Sequence, residues 1–309
     1  MKAIVINGYG GPDALNLVDV AKPILTAGKI LVRVVATAVD PGNVKRAAGL
    51  MRGYVADLEF PWIPGMAISG VVEEIGDGVS EFNVGDQVYG FNAGGGGLGE
   101  FVALEPRQVA ELPRELTHLQ AASIAVSGQT ALQALDAADL KEGQRILILG
   151  AGGAVGSIAV QLAKSSGAYV IAVCRKRSAD RLLSLGADEV IDSEEMAFAL
   201  AVKHVDVVID AVGGDYLKSA YGVVNRDGLL VSLTEVPSEE LANKFGIRAT
   251  MVRTQSQASN LHRLSRAFDE GRIVPFVGRT YSLADAALAW GDYSQRVTDG
   301  KIVIAVTQG

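Results

Sequence analysis

A chain of 309 residues with 49% hydrophobic and 20% charged side chains is composed like a packed globular protein. This excludes disordered, collagen-like and disulfide-stapled classes and points to about two domains. The net charge of −7 disfavours nucleic acid and anionic membrane as partners and leaves a small molecule. The only cysteine, Cys174, excludes an intramolecular disulfide and a thiolate zinc cluster. With no signal-like segment and no apolar run near the ~20 residues of a membrane span, the chain is expected to be cytoplasmic.

Residues 1–118 carry short β-like runs broken by Gly, Pro and Asp, among them Lys29–Val35, Gly70–Ile75 and Asp86–Tyr89. They predict an irregular, mainly antiparallel, barrel-like domain. Gly94–Gly97 reads as a flexible surface loop. Over 119–255 continuous apolar strands alternate with helical segments, the texture of βαβ units. Six strands are predicted at Arg145–Leu149, Tyr169–Cys174, Glu189–Ile191, Val205–Asp210, Leu229–Leu233 and Ile247–Val252. Six such strands suit a doubly wound parallel sheet with its ligand at the carboxyl ends. In 256–309, Asn260–Glu270 is amphipathic and Lys301–Val306 is a strand suited to return to the first domain's sheet.

After the strand Arg145–Leu149 comes Gly150-Ala151-Gly152-Gly153-Ala154-Val155-Gly156, with Val155, Ile158, Ala159, Leu162 and Ala163 on one helical face. The Gly150, Gly153, Gly156 spacing in a strand–turn–helix context predicts a diphosphate-binding helix N-terminus, with Ala154 and Val155 in its first turn. A dinucleotide site for NAD carries Asp or Glu after the second strand. This chain has Cys174-Arg175-Lys176-Arg177 there, three cations that suit a 2′-phosphate, so NADPH is the expected cofactor. Cys174 reads as a small residue that makes room. The three histidines, His118, His204 and His262, are widely spaced; each is expected to be exposed, and no metal site is expected.

These motifs, with Ile63-Pro64-Gly65, Ser69-Gly70-Val71-Val72 running on to Gly90, Leu185-Gly186-Ala187-Asp188, Asp210-Ala211-Val212-Gly213-Gly214 and Gly300-Lys301-Ile302-Val303, resemble the medium-chain dehydrogenase/reductase superfamily in its zinc-free quinone oxidoreductase branch. The resemblance implies a mainly β GroES-like catalytic domain (1–118), an α/β Rossmann domain binding NADPH (119–255) and a C-terminal return to the catalytic domain (256–309). It also implies a substrate cleft and a homodimer. Where zinc members carry Gly-His-Glu this chain has Gly65-Met66-Ala67, and Val39 or Asp40 stands at the early cysteine position. Without a Lewis acid the implied substrates are quinones and α,β-unsaturated carbonyls, which accept hydride readily.

Asp40-Pro41-Gly42-Asn43-Val44-Lys45-Arg46 is similar to the family's Asn-Pro-x-Asp-x-Lys-x-Arg segment, with Asp40 and Asn43 a near-swap of the family's Asn and Asp that can preserve a hydrogen-bond network. The resemblance implies catalytic roles for Lys45, Asn43 and, more weakly, Tyr54. It places Asp40, Pro41, Thr130, Ala211, Val212, Leu233 and Thr234 against the cofactor. Ser193 stands where the family often has a 2′-phosphate tyrosine, shifting that work to Arg175 and Arg177. The alternative reading is an NADPH-binding sensor or regulatory protein with little catalysis.

Overall fold

The computed structural model describes residues 1–307. They form two compact units: 1–126 with 256–269 and the segment from 275 onward, and 127–255 with 270–274. No helix among the described residues is long and apolar enough to cross a membrane.

In the first unit, β1 (Lys2–Val5) and β2 (Asn16–Asp19) pair antiparallel as a separate ribbon. Then come β3 (Ile30–Ala38), α1 (Pro41–Ala47), β4 (Ala67–Ile75), β5 (Gln87–Phe91), β6 (Phe101–Leu104), β7 (Val109–Glu111) and α2 (His118–Ala125). All of β3 except Arg33 is buried, which is why its sequence shows no apolar–polar alternation. Pro41 opens α1 at a position whose missing N–H costs nothing. Thr117 caps α2 in a reciprocal box with Gln120.

The second unit runs α3 (Ser127–Ala138), β8 (Arg145–Leu149), α4 (Ala154–Ser165), β9 (Tyr169–Cys174), α5 (Ala179–Ser184), β10 (Glu189–Asp192), α6 (Phe198–Ala201), β11 (Val205–Asp210), α7 (Asp215–Ala220), β12 (Val224–Ser232), α8 (Glu239–Phe245) and β13 (Arg248–Met251). Its six strands are parallel in the order β10-β9-β8-β11-β12-β13. This is the expected doubly wound sheet, whose order reverses between β8 and β11. Leu147, Leu149, Ile171, Val173, Val208 and Leu230 build the core on one face. Burial on both faces explains the unbroken apolar runs.

Back in the first unit lie α9 (Ala258–Asp269), β14 (Val277–Ser282), α10 (Ala286–Gln295) and β15 (Lys301–Ala305). β15 pairs antiparallel with β3 and parallel with β14, extending the sheet β14-β15-β3-β4-β5-β7, with β6 on β3. Trp62 and Trp290 share one core cluster with Val39, Leu98 and Ile302.

Two expectations fail here. The glycine tract is packed rather than free: Gly96 N and Gly97 N donate to the carbonyls of Ile63 and Gly65 at 2.8 Å each, and Trp62 Nε1 donates to Gly94 O at 2.6 Å. A Cβ on Gly95 would sit 2.4 Å from Ile63 O, and on Gly97 2.6 Å from Thr37 Oγ1. The glycines therefore serve close backbone approach. His118 is likewise half-buried, its Nδ1 2.7 Å from Ser69 Oγ, while His204 and His262 are exposed.

Burial, with the nearby Arg33 charge adding, holds the His118 imidazole below its ordinary value. The unfolded chain therefore takes up this proton first as pH falls, and stability drops from about pH 6.5 downward until the folded value is passed. Urea midpoints measured between pH 7 and 5 are expected to fall less in His118→Gln than in the parent. An identical fall in both would show that His118 does not drive it.

Candidate functional site

The expected site residues divide between the two units. In the second, Gly150 turns the chain out of β8 at φ +77°, and Gly153 is the N-cap of α4, with backbone in place of a capping side chain. A Cβ at Gly156 would lie 2.5 Å from Gly150 O, and one at Gly152 would lie 2.7 Å from Ser178 Oγ. Glycine at these positions lets helix, strand and turn close on one another. The first-turn amides of α4, beginning with Ala154 and Val155, have no preceding carbonyl in the helix and carry its positive dipole end. These residues fit a dinucleotide diphosphate.

The end of β9 stands beside this turn, as Ala151 N donates to Val173 O at 2.9 Å. Cys174 is buried, Arg175 is half-buried, and Lys176 and Arg177 are exposed. Sequence reading missed Arg181, which reaches back from α5 to donate to Gly152 O at 3.2 Å. It also missed the carboxylates that face the cations. Glu194 Oε1 lies 3.9 Å from Arg175 Nε, and Glu195 Oε1 lies 3.0 Å from Lys176 Nζ. The Lys176 ammonium is pushed up by Glu195. Counting charges along one segment could not find acids brought in by the neighbouring strand.

Asp210, wholly buried at the end of β11, organises the next two loops. Its Oδ1 accepts from Val212 N and Gly213 N at 3.0 Å each, and its Oδ2 accepts from Thr234 Oγ1 at 3.3 Å. Ala211 and Val212 are thereby tied to Leu233 and Thr234, all four beyond the carboxyl ends of adjacent strands. A carboxylate just before the Gly213-Gly214 turn was the available signal for this role. Thr130, on α3, shares a 2.6 Å hydrogen bond with Thr254.

In the first unit, α1 carries the remaining candidates. Asp40, its N-cap, is 1% exposed. Asp40 accepts from Ala67 N at 3.3 Å through Oδ2 and is ion-paired through Oδ1 with the ammonium of Lys301, itself 5% exposed. Asn43 Oδ1 accepts from Gly65 N at 3.1 Å, and its buried Nδ2 has no partner. The swapped pair thus holds the Gly65–Ala67 segment from two points. Pro41 and Lys45 are exposed on α1, and Tyr54 is 71% exposed in the loop that follows. Among the described residues no group of three or more His, Cys, Asp or Glu side chains is gathered to hold a metal.

Residues 26–114 match the alcohol dehydrogenase GroES-like domain, and residues 185–304 match the zinc-binding dehydrogenase family. The chain is 31% identical to a chloroplast envelope quinone oxidoreductase homolog of Arabidopsis thaliana, over 98% of each. It is 29% identical to an NADPH-dependent alkenal/one oxidoreductase, chloroplastic, of the same plant, over 98% of this chain and 79% of that one. The solved quinone oxidoreductase of Coxiella burnetii superposes with a TM-score of 0.92 at 32% identity, covering 99% of both chains. With a GroES-like first unit, a Rossmann second unit and this full-length similarity, the chain belongs to the medium-chain dehydrogenase/reductase superfamily and is a nicotinamide-dependent oxidoreductase.

Proposed function

We propose that the protein is an NADPH-dependent, zinc-independent reductase of quinones or α,β-unsaturated carbonyls. The observation that carries this reading is the bare α4 N-terminus next to Arg175, Lys176 and Arg177, a diphosphate cradle with guanidinium groups beside it. The names of the Arabidopsis and Coxiella relatives support the substrate class. When bound, NADPH supplies the hydride. The chain's own contribution is to hold the dinucleotide through Gly150, Gly153, Ala154 and Val155, with Cys174 leaving room for the ribose and Arg175 and Arg177 on its phosphate. Thr130, Ala211, Val212, Leu233 and Thr234 shape the strand ends where the rest of it lies.

A zinc ion does not fit the first unit. The Asp40 carboxylate is already neutralised by Lys301, Met66 offers a thioether, Ala67 offers nothing, and the only cysteine lies on β9. The Lys45 ammonium serves to donate a proton to the enolate left after hydride arrives. Asn43 fixes α1, with Asp40 and Pro41 at its start, and Tyr54 contacts the acceptor. Rapid mixing of the protein and NADPH with a panel of quinones and enones should deplete the reduced-nicotinamide absorbance over many turnovers. No depletion above blank with any acceptor would refute the reading, as would stoichiometric zinc in protein purified without chelator.

A further inference from the structure

The loop after β10 is fastened beneath the basic run. Ser193 N donates to Cys174 O at 2.8 Å, Glu194 N donates to Asp192 Oδ1 at 2.9 Å, and Asp192 lies opposite Cys174 in the parallel ladder. This anchoring delivers Glu194 to Arg175 and Glu195 to Lys176. Both acids are about two-thirds exposed, with side-chain exposures of 63% and 67%. They add little to the stability of the fold. Their effect falls on whatever anion approaches the same cations.

We propose that Glu194 and Glu195 are specificity-determining residues, internal counter-ions that occupy the cations a 2′-phosphate would use and so restrain the preference for NADPH over NADH. The proposal rests on the NADPH reading above. A phosphomonoester bearing about −1.5 to −2 charges must displace these carboxylates or bind beside them against repulsion. NADH presents a neutral hydroxyl at that position and leaves both ion pairs intact. The pairs also spare an NADH complex the cost of neighbouring cations without anions, so the arrangement lets one site accept both nucleotides.

The test is to titrate Glu194→Gln/Glu195→Gln with NADPH and NADH, following nicotinamide fluorescence, alongside the parent and Arg175→Ala. The double variant is expected to lower the NADPH dissociation constant by about five- to twentyfold, with NADH unchanged within about twofold. The plot of log Kd for NADPH against log salt concentration should steepen, because two opposing charges have been removed from the site. An unchanged NADPH affinity, or an equal change for both nucleotides, overturns the proposal. If Arg175→Ala still weakens NADPH selectively in that case, the NADPH reading stands and the counter-ion role alone is rejected. If Arg175→Ala weakens both nucleotides equally, the NADPH reading fails and the proposal fails with it.

Discussion

Lys301→Met is expected to destabilise the first unit by about 3–5 kcal/mol, because it strands the Asp40 carboxylate without its counter-ion at a site 1% exposed. What remains for that charge is one amide donor, Ala67 N, too little to offset desolvation. Burial and the same carboxylate also push up the nearby Tyr293 phenol. The double variant Asp40→Asn/Lys301→Met should recover a large part of the loss, since an uncharged amide oxygen still accepts from Ala67 N. Both tryptophans, Trp62 and Trp290, sit in the core cluster that also holds Val39 and Ile302. Their fluorescence during urea unfolding reports on this unit. Equal losses in the single and double variants would mean that the two charges are not coupled.

The second large effect concerns cofactor choice. Arg175→Ala and Arg177→Ala are each expected to raise the dissociation constant for NADPH by roughly ten- to a hundredfold, as for loss of one charge-assisted hydrogen bond of about 1.5–3 kcal/mol. NADH affinity should hold, the double variant should lose more than either single one, and added salt should narrow the parent's preference. Because Glu194 already draws on Arg175, the Arg175 variant should fall at the lower end of that range. Equal losses for both nucleotides in the variants would reduce the basic run to a solvated surface.

The sheet and phosphate turn could be read from sequence because they are local. A strand buried on both faces writes itself as an apolar run, and a turn pressed between strand and helix writes itself as glycine. Errors begin where a partner comes from elsewhere. β12 starts at Val224, before the expected Leu229, because its polar opening, with Asp227 at φ +63°, carries no apolar signal. The Gly94–Gly97 tract has the composition of a flexible loop, and only the Ile63–Gly65 backbone beside it explains why no side chain is tolerated. The Asp40–Asn43 swap was visible as a network to be preserved, but half of that network is Lys301, 261 positions along the chain. The basic run was legible as a run, whereas Glu194 and Glu195 belong to the next strand's loop.

The return of β15 to β3 also has a consequence for synthesis on the ribosome. Ala36 and Ala38 find their ladder partners, Ala305 and Val303, only after the whole second unit has been translated. That unit is almost entirely one continuous stretch, from Ser127 to Gln255, and can begin to fold as it emerges. The first unit must meanwhile wait with one edge of β3 open at Ala36 to Ala38 and the Asp40 carboxylate unmatched. An open strand edge of this kind invites pairing with a neighbouring nascent chain. Truncation before Lys301 should therefore produce aggregation rather than a smaller soluble enzyme.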